Sequence, residues 1–400
     1  VKILVLNSGS SSIKCQYFID QKSIATALIE RIGEEVSHSK ICYNGKVFTY
    51  KDPVSNHQQA FDTLFSLLKE SHALSSIDDL NAIGHRVVHG GSDFSEPALI
   101  TKEVIENIRS LIPLAPLHNP ANLQAIEIIA KAHPDLSQVA VFDTAFHQTM
   151  PEHAALYPIP YELYQESNIR RYGFHGTSHA YVAKEAAKMM GKDLNRLNLI
   201  TLHLGNGASA TAIRSGKSID TSMGLTPLEG LMMGTRCGDI DPAIIPFLSH
   251  THKMSIESID KMLNKESGLK GICGTNDMRE VITQTEENDP LSLLALEMYT
   301  HRIKKYIGAY TVLLESLDAV IFTGGIGEHA KKVREMVCEG LEASIGLKLD
   351  SEKNQRSETE NREIHERKSK IKLFVIPTNE ELEIAVQTEN VLRKRFKVIF

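Results

Sequence analysis

Several familiar chemical devices are absent from this 400-residue chain. Its five cysteines, Cys15, Cys42, Cys237, Cys273 and Cys338, are scattered and form no Cys-x-x-Cys pair. An odd, dispersed set argues against a disulfide framework and a structural zinc, and favours a reducing compartment. No apolar run approaches the roughly 20 residues a transmembrane helix needs. The first residues enter a strand without the charged start and cleavage site of a secretory leader, so a cytoplasmic location is expected. A formal net charge of −6 and the lack of an arginine-rich tract speak against nucleic acid as a partner, and nothing points to a membrane. What remains is an ordinary globular composition, 42% hydrophobic and 24% charged, long enough for two domains with real cores.

The N-terminal residues are the most informative. Lys2-Ile3-Leu4-Val5-Leu6 reads as a short buried strand that runs into Asn7, Ser8, Gly9, Ser10, Ser11 and Ser12 and then reaches Lys14. Small residues after a strand let backbone N–H groups and hydroxyls converge on an anion, and a nearby lysine adds positive charge. The spacing is not that of Walker A, which opens a helix. Here a second strand follows, so the phosphate would sit in a hairpin turn. A similar arrangement recurs about half a chain later. Leu199–Leu204 leads into Gly205-Asn206-Gly207, a strand follows through Ile213, and Ser215-Gly216 turns it back into Ser218-Ile219-Asp220. Repetition at that distance implies two similar domains, each presenting one phosphate-facing turn.

Elsewhere strands and helices alternate, which indicates an α/β layered architecture. Asn44-Gly45 suits a type I′ hairpin between two strands. Ser55 with Gln58 forms a capping-box pattern ahead of Ala60, Phe61, Leu64, Phe65 and Leu68. Asn119 and Pro120 start a helix that ends before Pro134, and Ser178 can cap a helix stopped by Gly191. A long helical stretch from about 290 to 317 has Leu293, Leu294, Leu296, Ile303, Ile307 and Leu313 as candidate core. Residues 351–370 read as a solvated, charge-mixed excursion with no active-site role, and Thr378 with Glu381 forms a second capping box.

Further motifs place reactive side chains beside glycines. Gly84-His85-Arg86-Val87-Val88-His89-Gly90-Gly91 puts an arginine at a strand end, and Asp143 ends another strand. His175 precedes a helix, and Arg236 lies in Gly234-Thr235-Arg236-Cys237-Gly238-Asp239. Gly325-Ile326-Gly327-Glu328-His329-Ala330 after a strand fits a dinucleotide fingerprint, with Asp350 as the ribose acid, or an adenosine-contacting loop.

Taken together, these motifs resemble the acetate kinase family. The resemblance rests on Asn-x-Gly-Ser-Ser-Ser-x-Lys at 7–14, Gly-His-Arg-Val-Val-His-Gly-Gly at 84–91 and Phe-Asp-Thr-Ala-Phe-His at 142–147. It continues with Tyr-Gly-Phe-His-Gly-Thr-Ser-His at 172–179, His-Leu-Gly-Asn-Gly at 203–207, Gly-Thr-Arg-x-Gly-Asp-x-Asp-Pro at 234–242 and Pro-Thr-Asn-Glu-Glu at 377–381. It implies two ribonuclease-H-like domains around an ATP cleft, the duplicated actin-like ATPase architecture. The expected N-terminal domain is 1–147 with 382–400, and the nucleotide-binding domain is 148–381. His329 stands where the family's adenosine loop usually has asparagine.

The activity implied is reversible transfer of the ATP γ-phosphoryl group to acetate, giving acetyl phosphate and ADP. The cofactor implied is Mg²⁺, with Mn²⁺ as an alternative, and the assembly a homodimer. By the same resemblance Asp143, His175 and Arg236 are catalytic, and Arg86, Val88, Leu117, Phe174 and Pro227 hold the acyl group. ATP would meet Ser10, Ser12, Lys14, the run His203, Leu204, Gly205, Asn206 and Gly207, then Asp277, Met278 and Arg279. Gly325, Ile326, Gly327, Glu328 and His329 would flank its adenosine, and Asn7 and Glu380 would contact the metal. Acetate is already ionised near neutral pH, so Asp143 is expected to orient an arginine or a metal-bound water. The same architecture also serves nucleotide-switched binding proteins, for which carboxylate-binding arginines would be superfluous.

Overall fold

In the computed structural model, which describes residues 1–116 and 118–398, the chain divides into two compact units. The first comprises Val1–Ala145 with Asn379–Phe400, and the second Phe146–Thr378.

The first unit contains an eight-stranded sheet. Its strands are β1 (Lys2–Ser8), β2 (Ser12–Ile19), β3 (Lys22–Glu30), β4 (His38–Tyr43), β5 (Lys46–Tyr50), β6 (Ala82–Val87), β7 (Ala98–Leu99) and β8 (Gln138–Phe142). They lie in the order β5-β4-β3-β2-β1-β6-β8-β7. Strand β1 is a continuous apolar run because both faces of the sheet are covered. Leu4 and Leu6 pack towards Phe61, Leu64 and Leu68 of the helix His57–Glu70. Ile3 and Val5 point the other way, into a cluster with Val139, Val141, Ile384 and Ala385. The last two belong to the helix Glu380–Val398, which lies close against β6. A Cβ at Gly84 would meet Thr388 Oγ1 at 2.5 Å and Ile384 Cγ2 at 2.9 Å, so only glycine admits that approach.

The second unit contains a six-stranded sheet. Its strands are β9 (Asn198–Leu204), β10 (Ala208–Arg214), β11 (Lys217–Thr221), β12 (Ala319–Thr323), β13 (Arg362–Glu363) and β14 (Lys372–Val375), in the order β11-β10-β9-β12-β14-β13. The helix Gly176–Met190 lays Val182, Ala183, Ala186 and Ala187 on Leu199, Ala319, Ile321 and Phe374. The centres of the two sheets repeat. Strand β1 is antiparallel to β2 and parallel to β6, as β9 is antiparallel to β10 and parallel to β12. In each, the turn after the central strand is the phosphate-like one.

The hairpins and most helices stand where the sequence places them, and Asn44 and Gly45 both take the positive φ of a type I′ turn. The caps differ. Asn56, not Ser55, caps the first helix, while Ser55 reaches forward to Gln59. Asn119 begins its helix without capping it and instead brackets His89 through both N–H and C=O. Ser178 lies inside its helix, and Asn379 takes the place expected of Thr378 by accepting from Leu382 N–H at 3.0 Å.

In the helix Pro290–Leu314, Leu296, Ile303 and Ile307 are buried, but Leu293, Leu294 and Leu313 are exposed. Asp350 caps the short helix Ser351–Gln355, which removes it as a ribose acid. Gly324–His329 forms one short helical segment on β12, with Gly324 at φ +76° making the turn. The 351–370 stretch is not merely solvated: Asn354, Arg362, Ile364 and His365 are buried.

Candidate functional site

The first unit builds a charged cluster around Arg86. Arg86 sits on β6 and Asp143 follows the neighbouring parallel strand β8, so the sheet itself brings them together. Arg86 Nε donates to both Asp143 oxygens at 3.1 Å, and Nη2 donates to Oδ2 at 2.7 Å. Such two-pronged pairing suits the planar guanidinium. Burial alone would lower the Arg86 pKa, but Asp143 and Glu380 raise it above its ordinary value, so its charge is permanent. Glu380 Oε2 lies 3.9 Å from Arg86 Nε, and Lys14 pairs with Glu381. Burial pushes the Glu380 carboxyl up to about 7, Arg86 opposes this, and repulsion from Asp143 and Glu381 adds to it.

Asn7 lies on β1 and Ser12 begins β2, and the turn between them, which carries Ser10, is closed by Gly9 N–H donating to Ser12 C=O at 2.8 Å. Val88 is buried and its N–H donates to Asn122 Oδ1 at 3.1 Å. Leu117 lies outside the described residues.

The second unit brings three separately predicted residues against one another. A Cβ at Gly207 would lie 3.4 Å from Arg236 Nη1 and 3.5 Å from His175 Nε2. The turn itself is closed by Gly205 N–H donating to Gly207 C=O at 2.9 Å. His175 holds a left-handed backbone at φ 56° just before its helix, a conformation rare for a side chain of that size. Its ring stacks on His203 with centroids 4.1 Å apart, and its Nδ1 bonds Ser209 Oγ at 2.9 Å. His203 Nδ1 in turn meets Ser178 Oγ at 2.8 Å.

Arg236 Nη1 donates to the Pro227 carbonyl at 3.1 Å, and among the described residues no carboxylate pairs with it. Burial lowers its pKa from the ordinary value. An enclosed guanidinium with unspent donors is a receptor for an anion. Phe174 is buried, with its carbonyl accepting from His147 Nε2 at 2.9 Å.

Beside this group lies a cavity of about 910 Å³, lined in part by Gly205, Asn206, Asp277, Met278, Arg279, Gly325, Ile326 and His329. That volume suits a nucleoside-sized ligand. Leu204 is a core residue, and Glu328 turns inward, its Oε1 accepting from Gly324 N–H at 3.0 Å and Thr378 N–H at 3.2 Å. Asp277 caps the helix Met278–Glu286 and is drawn down to about 2, chiefly by hydrogen bonding from Arg279.

Nine wall residues are absent from the sequence-based expectation, among them Lys331, Glu335 and Gln355. Asn276 donates to Asn206 Oδ1 at 3.0 Å, and Ile282 and Thr283 also line the cavity. Ile282 and Thr283 repeat Met278 and Arg279 one helical turn on, a spacing that would have found them.

A repeated α/β sheet topology, with a small-residue turn after each central strand, is the duplicated actin-like ATPase architecture. The comparisons with known proteins narrow this class. The model of the Acetokinase family matches residues 2–386, and the chain belongs to that family.

The acetate kinase of Sulfurovum sp. (strain NBC37-1) is 65% identical over 98% of this chain and 100% of its own length. Among solved structures, Porphyromonas gingivalis acetate kinase matches with TM-score 0.93 and 42% identity, covering 98% of this chain and 99% of that one. A propionate kinase from Francisella tularensis subsp. tularensis SCHU S4 matches with TM-score 0.91 and 46% identity, covering 97% and 99%.

Proposed function

We propose that the chain transfers the γ-phosphoryl group of ATP reversibly to acetate, giving acetyl phosphate and ADP. The observation that carries this reading is the convergence of Arg236 and His175 on Gly207, beside a nucleotide-sized cavity. Phosphoryl transfer asks a protein for positioning and charge neutralisation rather than covalent chemistry. A carboxylate oxygen of acetate bonds to the γ-phosphorus as the bond to the β–γ bridging oxygen breaks, and that electron pair leaves on ADP. No proton moves, because a carboxyl group of pKa about 4 is already ionised near neutral pH.

Arg236 neutralises charge on the transferring group, and His175 donates from Nε2 to an oxygen whose charge is redistributed in the transition state. Arg86 presents its free N–H groups to the acetate carboxylate. Asp143 fixes the guanidinium rather than acting as a base.

Asn7 and Glu380 would hold Mg²⁺, with Mn²⁺ as an alternative. The fit rests on charge: Asp143, Glu380 and Glu381 outnumber Arg86 and Lys14, and the burial and carboxylate repulsion that disfavour the Glu380 anion would be offset by a further cation. Among the described residues no group of three or more His, Cys, Asp or Glu could hold a metal alone, and Mg²⁺ suits few protein ligands because it keeps waters and takes phosphate oxygens. When bound, the ion neutralises phosphate charge.

The same reading makes the chain a cytoplasmic homodimer; no helix among the described residues is long and apolar enough to cross a membrane. Hydroxamate trapping with acetate, ATP and Mg²⁺ tests the function, and absence of an acyl phosphate would refute it. Propionate is a second candidate acceptor, since a propionate kinase matches about as well as an acetate kinase does.

A further inference from the structure

Arg334 is the bulkiest of the wholly buried side chains, and no carboxylate among the described residues pairs with it. Its guanidinium is spent on backbone and amide oxygens. Nη1 donates to the carbonyls of Gly327 and Glu328, each at 2.9 Å. Nε donates to Asn354 Oδ1 at 2.7 Å and Nη2 to Asn354 C=O at 3.2 Å. Burying an unpaired guanidinium is costly unless every donor is used, so a fold retains one where it needs a fixed point.

A second arginine reaches the same place. Arg362, on β13, donates from Nη2 to the Glu328 carbonyl at 3.0 Å, and its Nη1 is anchored by Glu358 C=O at 2.7 Å. Two cations therefore grip the last carbonyls of the segment Gly324–His329, whose Gly325, Ile326 and His329 line the cavity. The Glu328 carboxylate ties the other end of that segment to Gly324 N–H and Thr378 N–H. The excursion that supplies Arg362 and Asn354 is itself pinned down: Lys331 holds Ser357 Oγ at 3.0 Å, and Gln355 holds Glu335 at 2.7 Å.

We propose that Arg334 and Arg362 are positioning residues for the nucleotide, and that the 351–363 excursion, whose Gln355 itself lines the cavity, serves to brace the Gly325–His329 wall. The inference rests on the cavity being the nucleotide site of the proposed reaction. Neither arginine need touch the ligand. Each acts by holding the Gly327 and Glu328 carbonyls of the wall, and neither lines the cavity.

The test is Arg362→Met, which keeps length and removes the donors, with Arg362→Lys as the conservative variant. Asn354→Ala loosens Arg334 without leaving a truncated arginine site. Titration with a fluorescent ADP analogue gives the nucleotide Kd directly, steady-state kinetics give KM for ATP and for acetate, and melting gives stability. Loss of one charge-assisted hydrogen bond to the wall should weaken nucleotide binding about tenfold. KM for ATP should rise in parallel, KM for acetate should hold steady, and Arg362→Lys should restore part of the loss.

A lower Tm with unchanged nucleotide Kd would mean a merely structural brace and overturn the proposal, as would equal rises in both KM values. If the wild-type chain binds no ADP analogue, the functional reading falls first and the inference with it. If the wild type binds and all three variants bind equally well, the inference alone falls.

Discussion

Asp143 and Arg86 form a two-pronged ion pair across neighbouring parallel strands, with Asp143 almost wholly buried and three N–H···O contacts between 2.7 and 3.1 Å. An acid so committed to a guanidinium is poorly placed to take a proton, and the proposed reaction has none to give. Asp143→Asn keeps the shape and removes the charge. Loss of a charged hydrogen bond of about 1.5–3 kcal/mol predicts a fall of roughly ten- to a hundredfold in kcat/KM for acetate. Any acid limb set by Glu380 should move to lower pH, since repulsion from Asp143 helps raise that carboxyl; disappearance of an acid limb, with activity restored at high pH, would assign Asp143 to proton transfer instead.

Arg236 and His175 should separate by size of effect. Removing one donor aimed at developing charge typically costs about 2.7–4 kcal/mol, or roughly 10²–10³ in rate. Arg236→Ala is expected at that level, with nucleotide affinity largely kept. His175→Ala should be milder, because a neutral imidazole is a weaker donor than a guanidinium. Wild-type turnover in both variants would place the chemistry elsewhere.

Two buried histidines make stability depend on pH. His147 is held neutral between Ser218 Oγ and the Phe174 carbonyl, and burial pushes it down to about 4. His85, against Gln138, is likewise pushed down to about 4 by burial. In the unfolded chain both would titrate near 6.5, so between there and 4 the unfolded state binds more protons. Their contribution is therefore full above about pH 6.5 and is lost as pH falls towards 4, by about 3 kcal/mol each at most. Melting temperatures at about pH 7.5 and about pH 5 should show the drop, and His147→Gln should lessen it, leaving the share of His85.

Acyl selectivity should turn on Val88, buried beyond the end of β6 and fixed through Asn122. One methylene in such a pocket is worth about 1–3 kcal/mol, so propionate should be poorer than acetate rather than excluded. Val88→Ala should narrow the gap by making room. Comparing kcat/KM for both acids in both proteins decides it, and a wild-type preference for propionate would remove Val88 as the gauge.

What the sequence discloses here is what depends on neighbours in the chain. The two hairpins, the Asn44-Gly45 turn and the buried strands follow from turn chemistry and alternation, and the structure has them in place. Arg236, His175 and Gly207 stand out in separate motifs, and the fold sets them side by side. The failures share one cause. Ser178, Asn119 and Thr378 all look like local caps, yet the first meets His203 and Thr378, and the second brackets His89. A small polar side chain is equally suited to a cap and to a long-range bond, and local pattern cannot choose between them. Arg334, on the helix Lys331–Cys338, and Arg362, in the charged 351–370 run, escaped notice for a related reason: a charged side chain normally faces water, and nothing in the local pattern says that these two turn inward.

The helix Glu380–Val398 belongs to the first unit but is synthesised after the whole of the second. Until it emerges, Ile3, Val5, Val139 and Val141 have no Ile384 or Ala385 to cover them, and the groove that Gly84 leaves for Thr388 stands empty. Domains generally fold as units during synthesis, N-terminal first, and exposed apolar surface at that stage invites aggregation. In this chain the first unit lacks part of its core until its last helix is made. The second unit can mature on the ribosome while the first waits with one face of its sheet bare, so removing the C-terminal helix should cripple the N-terminal half rather than the part of the chain beside it.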